Sequence, residues 1–289
     1  VLNGGVGSMT DYNGVSIIGV GHHLPNVIEE NDDLCKKLDV TADWIIEKTG
    51  IKRRYLARTE DSVSDFAARA AENALGMAGI LSNEIDLIVV CTFSGDYVFP
   101  PVSAKVASLL NAQHAQIFDI QANCVGFITG LTVASDRMRV DASVRNALVI
   151  GVEFNSRYID RSDVNSAIYM SDGAGAAVLG RTHSDFGVMA SAFHTDTSNF
   201  ESVRLRGGGS SFLLKDRSWD SKLDYMEMNG LATWKQAITN LPMVIKKACV
   251  KSGIELKDLD FLLFHQANLR MIEYVVRKMG FGMEKTFTN

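Results

Sequence analysis

Two segments of the chain resemble each other, and this repeat constrains the fold more than any other feature. Residues 79–91 align without gaps on residues 253–265, and each copy reads as a helix end with a glycine cap, a short turn, an aspartate and an apolar run. A continuous apolar run is typical of a strand covered by helices on both faces. The pattern predicts two duplicated α/β halves that pack face to face, with a site where equivalent strand ends meet. Chance similarity is the alternative explanation.

The segment ahead of each copy has the spacing of an amphipathic helix. Apolar residues recur from Val63 to Leu75 behind two candidate N-caps, Asp61 and Ser62. They recur again from Trp234 to Cys249, where we expect Pro242 to kink the helix.

Charge and hydropathy exclude several functional classes. The formal net charge of −5 gives no global reason to bind nucleic acid or an anionic membrane. No apolar run reaches the roughly 18 to 20 residues of a membrane span, and we expect a cytoplasmic protein. We read residues 1–8 as an expression leader, because they are small and without pattern. The four cysteines are far apart, which argues against a zinc site or a disulfide framework.

Cys124 is the first candidate for chemistry. A strand pattern over 116–121 runs into a helix pattern that begins near Gly126, and Cys124 lies at the junction. A helix start offers unpaired N–H groups that favour a thiolate and stabilise an oxyanion on an attacked thioester. A buried structural cysteine is the alternative.

His265 is the second candidate, at the end of the repeat's second apolar run. The carboxyl edge of an α/β sheet is where such folds place their sites. A histidine with only a structural hydrogen bond is the alternative to a Cys/His pair. Asn268 then caps a helix whose outer face carries Arg270, Arg277 and Lys278. That basic face is either plainly solvated or receives an acidic carrier or a phosphate.

Other motifs are incomplete. Residues 171–180 lack the Gly-Lys-Ser/Thr ending of a phosphate-binding loop, and Gly19-x-Gly21 lacks the third glycine of a dinucleotide fingerprint. His22 and His23 are adjacent and so do not share a helix face. We assign no metal and no nicotinamide cofactor.

Taken in order, several segments of this chain resemble the β-ketoacyl-acyl-carrier-protein synthase III family of condensing enzymes. They are Gly19-x-Gly21-x-x-Leu24-Pro25, residues 41–54, residues 119–131 around Cys124, residues 172–176, residues 207–210 and His265-Gln266-Ala267-Asn268. The resemblance implies a thiolase-like fold in which two duplicated α/β halves form a five-layered αβαβα arrangement. It places Cys124 in an N-terminal half, 11–182, and His265 in a C-terminal half, 183–289.

The resemblance also implies an activity. An acyl thioester acylates Cys124, and a malonyl-carrier thioester then loses CO₂ to give a carbanion that attacks the acyl group, with His265 holding the thioester oxygen. Such an acyltransferase serves fatty acid or polyketide-type biosynthesis, acts as a homodimer and needs no cofactor beyond its acyl-coenzyme A or acyl-carrier-protein substrates. The substrate-binding residues it implies are Trp44, Lys48, Thr49, Phe99, Trp234 and Asn268. The residues it implies for the acyl carrier protein are Lys235, Arg270, Arg277 and Lys278.

The chain departs from the family pattern at several positions expected to serve catalysis or bind coenzyme A. The family's third catalytic residue, an asparagine in a Gly-Asn-Thr motif, is expected just after Asn289, so we expect the C-terminal segment to be missing. Lys48 and Val164 stand where arginines that contact coenzyme A are expected, and Leu231 where an asparagine often meets the pantetheine chain. Neither lysine nor valine reproduces the planar contacts of arginine. Our hypothesis is that the acyl donor is carried mainly on a protein.

Two other functions stay open. One is an acyltransferase of secondary metabolism on the same scaffold, in which no CO₂ leaves. The other is a non-catalytic partner subunit that shapes the pocket of a condensing enzyme. Release of CO₂ from malonyl-carrier protein distinguishes the first from a condensing enzyme, and failure of Cys124 to accept any acyl group favours the second.

Overall fold

A computed structural model describes residues 13–215 and 220–289. The predicted leader, residues 1–8, lies outside the described residues, as do the first two positions of the predicted N-terminal half. The strands are β1 (Gly14–His23), β2 (Val27–Glu30), β3 (Arg53–Leu56), β4 (Leu87–Cys91), β5 (Gln116–Ile120), β6 (Asn146–Phe154), β7 (Asp172–Thr182), β8 (Val203–Arg204) and β9 (Glu227–Met228). The α-helices are α1 (Asn31–Cys35), α2 (Ala42–Thr49), α3 (Val63–Ala78), α4 (Val102–Leu109), α5 (Gly126–Val140), α6 (Val164–Ala167), α7 (Gly230–Ser252) and α8 (Leu269–Lys278).

The described residues divide into two compact units. The first comprises residues 13–25, Ala57–Phe154 and Asp172–Met189, and the second comprises Asn26–Leu56, Asn155–Ser171 and Ala190–Asn289. The predicted division into halves 11–182 and 183–289 stays a prediction.

The first unit is built on one five-stranded sheet with the order β1-β7-β6-β4-β5. Strand β4 runs parallel to both β5 and β6, and β7 is antiparallel to its neighbours β6 and β1. All five residues of β4 are buried, as the apolar run predicts. Because Cys91 pairs with Ile120 on one side and Gly151 on the other, the carboxyl ends of the three parallel strands meet at one edge.

Helices cover both faces of this sheet. The alanine-rich face of α3 packs with α4 residues against one side, in a core that includes Ile88, Ile150 and Val178. On the other side Ala134 and Met138 of α5 pack against the sheet. This three-layer arrangement explains why β4 has no polar side chain: neither of its faces meets water.

The second unit contains the two-stranded sheets β2-β3 and β8-β9 and the helices α2, α7 and α8. The amphipathic pattern predicted from Trp234 onward forms the long helix α7, with Pro242 inside it. Asn268 is the N-cap of α8, since its side-chain oxygen accepts from the N–H of Arg270 at 2.8 Å.

The glycine caps and turns predicted for both copies of the repeat are confirmed, but the buried strand predicted for the second copy is wrong. Gly79 and Gly253 both end their helices in the left-handed conformation, with φ of 67° and 69°, and a 3₁₀ turn follows each of them. The predicted second buried strand does not form among the described residues, where Leu262 makes only an isolated bridge to Thr286. Leu263 is 74% exposed, so the apolar run is not covered on both faces as β4 is.

Candidate active site

Cys124 lies four residues beyond the end of β5, in a 3₁₀ turn over Asn123–Val125 that leads directly into α5. Asn123 has φ of 48°, a left-handed conformation that is uncommon for a residue with a side chain. The turn therefore redirects the chain sharply from strand to helix and leaves the Cys124 side chain exposed at the carboxyl edge of the sheet. The helix-start position predicted from the sequence is confirmed.

Two glycines let α5 approach the sheet closely. A Cβ at Gly130 would lie 2.6 Å from Sγ of Cys91 and 2.9 Å from Cγ1 of Val149, closer than packed atoms can approach. A Cβ at Gly126 would lie 3.4 Å from Cβ of Cys91. Because no side chain separates the helix from β4 here, the first turn of α5 is fixed against the strand ends.

Opposing effects act on the pKa of the Cys124 thiol. The surrounding protein atoms raise the pKa of its thiol, its own backbone N–H lowers that pKa, and the charge of Glu153 raises it. The net direction is upward. The expected preference of a helix start for thiolate is thus outweighed by desolvation and by a neighbouring carboxylate that the sequence analysis did not identify.

Glu153 is held at the carboxyl edge of the sheet by hydrogen bonds from the turn after β4. The hydroxyl of Ser94 donates at 2.5 Å, the N–H of Phe93 at 3.0 Å and the hydroxyl of Thr92 at 3.3 Å. Burial raises the pKa of this carboxyl to about 7, against the lowering effect of these donors. The available sequence signal is an acidic residue inside the otherwise apolar end of β6, Val152-Glu153-Phe154.

Phe99 belongs to the same unit as Cys124 and lies in the connection between β4 and α4. It is 83% exposed, and Val98 beside it is 93% exposed. The connection follows the Thr92–Ser94 turn that Glu153 holds. The described part of the chain thus leaves these two large apolar side chains almost uncovered.

In the second unit, α2 and α8 bring together several predicted substrate-binding residues. Trp44, Lys48 and Thr49 lie on α2, and the Asn268 amide donates to the carbonyl of Lys48 at 3.4 Å. Thr49 is buried, and its hydroxyl donates to the carbonyl of Ile45 and accepts from a backbone N–H. Lys48 is exposed and pairs with neighbouring Glu47 at 3.3 Å.

Arg270 joins the same two helices. Its Nε donates to the carbonyl of Glu47 at 2.7 Å, and its Nη1 lies 3.1 Å from a carboxylate oxygen of Glu273. A cation on the last carbonyls of α2 complements the negative end of that helix. The guanidinium is therefore already bound within the chain, although the sequence assigns it to a carrier protein.

A surface groove of about 510 Å³ lies on this part of α8 and the adjacent face of α7. It is lined by Trp234, Arg270, Glu273, Tyr274, Arg277 and Lys278. The rings of Trp234 and Tyr274 lie 6.2 Å apart, and Nζ of Lys278 is 5.7 Å from the Tyr274 ring and 2.9 Å from the carbonyl of Ile238. Arg277 and Lys235 are exposed.

His265 belongs to the second unit and follows the isolated bridge at Leu262. The residue is exposed, and neighbouring protein atoms lower the pKa of its imidazole by partial desolvation. The ring is therefore neutral at pH 7, with one nitrogen carrying a proton.

Neither a metal site nor a membrane helix is found in the part of the chain that the structure describes. No three His, Cys, Asp or Glu side chains within residues 13–215 and 220–289 come together as metal ligands. No helix in these ranges is long and apolar enough to cross a membrane.

Comparison with known proteins decides the family. The family model for 3-oxoacyl-[acyl-carrier-protein] synthase III matches residues 118–197, and the model for its C-terminal part matches residues 249–289. A β-ketoacyl-[acyl-carrier-protein] synthase III from Paramagnetospirillum magneticum is 34% identical over 274 residues, covering 93% of this chain and 82% of the relative. The chain belongs to the β-ketoacyl-acyl-carrier-protein synthase III family.

Solved structures agree with this assignment. The 3-oxoacyl-[acyl-carrier-protein] synthase III of Aquifex aeolicus superposes with a TM-score of 0.86 at 31% identity, covering 96% of this chain and 84% of that one. The priming β-ketosynthase of a polyketide pathway also superposes with a TM-score of 0.86, at 28% identity, covering 98% and 83%. The predicted thiolase-like α/β fold class is confirmed. As a member of this family, the chain is an acyltransferase with a condensing function in fatty acid or polyketide priming.

Proposed function

We propose that Cys124 is the nucleophile of this condensing enzyme. The observation that carries the proposal is its position: an exposed thiol in a sharp turn at the carboxyl edge of the sheet, at the start of α5. The thiolate attacks the carbonyl carbon of an acyl thioester, the donor's thiol leaves, and Cys124 holds the acyl group as a new thioester. The N–H groups of the first turn of α5 stabilise the oxyanion of the tetrahedral intermediate.

His265 assists the second half of the reaction. The malonyl-carrier thioester loses CO₂, and the electron pair of the broken C–C bond forms an enolate whose carbon attacks the acyl group on Cys124. The resulting β-ketoacyl-carrier leaves, and the Cys124 thiolate is regenerated. A neutral imidazole N–H stabilises the enolate oxygen as its charge develops. The broken C–C bond supplies the electron pair for the new C–C bond, so the reaction needs no cofactor.

Intact-protein mass spectrometry tests the nucleophile. After incubation with an acyl-carrier protein or acyl-coenzyme A, we expect one acyl adduct that is absent from Cys124→Ala and present in Cys35→Ala, a control at another free thiol. His265→Ala should still be acylated but release little labelled CO₂ from malonyl-carrier protein, whereas His194→Ala should behave as wild type. An adduct that persists in Cys124→Ala contradicts the proposal.

The favoured donor is a protein-bound acyl group. Lys48 has a carboxylate neighbour at 3.3 Å, and Leu231 is 66% exposed at the start of α7, so neither supplies the bidentate contact that a coenzyme A phosphate favours. Side-by-side acylation rates test this. A faster rate with acyl-coenzyme A than with the matching acyl-carrier protein overturns the preference.

The carrier protein binds beside the groove on α8. Acyl carrier proteins are acidic partners, and the cations assigned to them are Lys235, Arg270, Arg277 and Lys278. Trp44, Lys48, Trp234 and Asn268 line the path of the acyl-bearing arm, and the buried Thr49 fixes the end of α2 beneath it. Replacing Arg277 with glutamine should raise KM for malonyl-carrier protein but not for a small thioester analogue, and the effect should shrink at high salt.

The enzyme acts as a cytoplasmic homodimer. Among residues 13–215 and 220–289, β5 pairs only with β4, and Val98 and Phe99 expose large apolar surfaces on the connection to α4. Such a combination is typical of a face that pairs with a second copy, and Phe99 then reaches the partner's acyl channel. Light scattering should give a dimer mass, and Val98→Asp should shift it toward monomer.

A further inference from the structure

Glu153 is a partly buried carboxyl group at the carboxyl edge of the sheet that the reaction above leaves without a role. Cys91 of β4 pairs with Gly151 of β6, so Glu153 stands two residues further toward the carboxyl edge. Side chains alternate along a strand, so Glu153 shares its face with Gly151. A Cβ at Gly151 would lie 3.4 Å from the ring of Phe127, on the first turn of α5. The carboxyl group therefore faces the helix that follows Cys124.

The Thr92–Ser94 turn fixes the position of this carboxyl group. It receives three hydrogen bonds from the turn, and the Ser94 hydroxyl also accepts from the N–H of Phe154 at 2.9 Å, which ties the ends of β4 and β6 together. The N–H of Thr92 donates to Ile120 at the end of β5. The network thus joins all three strand ends from which the site is built.

The charge of Glu153 acts on two thiols: that of Cys91 on β4, whose pKa burial raises to about 12, and that of Cys124. The Asp119 carboxylate on β5 also acts on Cys91. Asp119 already accepts the N–H groups of Val102 and Ser103 at the start of α4. Cys124 is thus the exposed group on which a change in the charge of Glu153 acts.

We propose that Glu153 is a positioning residue of the acylation site, which holds the turn after β4 and sets the ionisation of Cys124 through its own charge. The inference rests on the proposed role of Cys124. An ionised Glu153 opposes the thiolate, because its negative charge then acts on a second negative charge in a partly desolvated site. A protonated Glu153 removes that opposition, so the reactivity of Cys124 depends on the charge state of its neighbour.

The pH profile of alkylation tests the proposal on the intact protein. Iodoacetamide adducts at Cys124 are followed by mass spectrometry from about pH 5.5 to about pH 9. In the wild type the rate should rise with pH and bend near the pKa of Glu153, about 7. Glu153→Gln should remove the bend and raise the rate at about pH 8 by about two- to tenfold. Glu72→Gln, at an exposed glutamate of α3, should leave the profile unchanged.

A second variant keeps the proposal open to refutation if Glu153→Gln fails to fold. Ser94→Ala keeps the charge and removes the shortest hydrogen bond to it, so the bend should move to higher pH. A Glu153→Gln profile that superimposes on wild type overturns the proposal, as does an unmoved bend in Ser94→Ala. If the profiles behave as expected but no thioester acylates Cys124, the nucleophile's role fails while the charge coupling stands.

Discussion

Replacing Arg54 with methionine should lower the free energy of unfolding by about 2–4 kcal/mol. Arg54 is fully buried; it donates to the carbonyl of Ile168 from Nη2 at 2.6 Å and to Oδ1 of Asn31 from Nη1 at 3.0 Å. Methionine fills similar space without donors, so both acceptors lose their partner at about 1–3 kcal/mol each. Removing the burial cost of a guanidinium offsets part of this loss.

Arg53 supplies a matched control for the same substitution. Its side chain is half exposed, and its Nε lies 3.6 Å from Glu30 in a surface pair, which contributes no more than about 1 kcal/mol. Urea unfolding, compared at equal m-value, should show a large midpoint shift for Arg54→Met and a small one for Arg53→Met. Equal shifts, or a loss below about 1 kcal/mol for Arg54→Met, would refute the reasoning from unpaired buried acceptors.

Three further outcomes are expected. Gly130→Ala should destabilise the fold by about 1–3 kcal/mol through overpacking against Cys91, and Cys91→Ala should partly restore the urea midpoint. Because folding raises the pKa of Glu153 from 4.5 to about 7, the contribution of this group to stability should be greatest below about pH 4.5 and fall by about 3 kcal/mol as the pH rises through 7; the difference in urea midpoint between wild type and Glu153→Gln should follow this decline. Glu273→Gln should lower KM for malonyl-carrier protein about two- to fivefold by freeing Arg270, without changing KM for a small thioester.

Local sequence signals correctly predicted that Cys124 lies where a strand leads into a helix. The change from strand to helix pattern around Cys124, the N-cap at Ser62 and the glycine caps at Gly79 and Gly253 each depend on a few neighbouring residues. These elements form as expected because each is determined by interactions between residues that are close together in the sequence. The buried run of β4 also follows from composition alone, since a strand without polar side chains needs cover on both faces.

Features that depend on residues distant in sequence were missed. The second apolar run, before His265, has the composition of β4 but within the described residues makes only the bridge at Leu262, because strand formation requires a paired neighbour and not composition alone. Glu153 was not predicted as a residue near Cys124 for a similar reason. Its donors, from Thr92 to Ser94, lie about sixty residues earlier in the chain, and only the register of β4 with β6 brings them together.

The basic face of α8 shows how such distant contacts change a functional inference. From the sequence, Arg270, Arg277 and Lys278 present equal positive charges to a partner. In the structure Arg270 reaches the Glu47 carbonyl, 223 residues earlier in the chain, and pairs with Glu273, while Lys278 donates to the carbonyl of Ile238. Charge that is satisfied within the chain attracts a partner less than free charge does, because the partner must first displace the internal acceptor. In the proposed complex with an acidic carrier, the affinity therefore depends on Glu273 as well as on the number of cations.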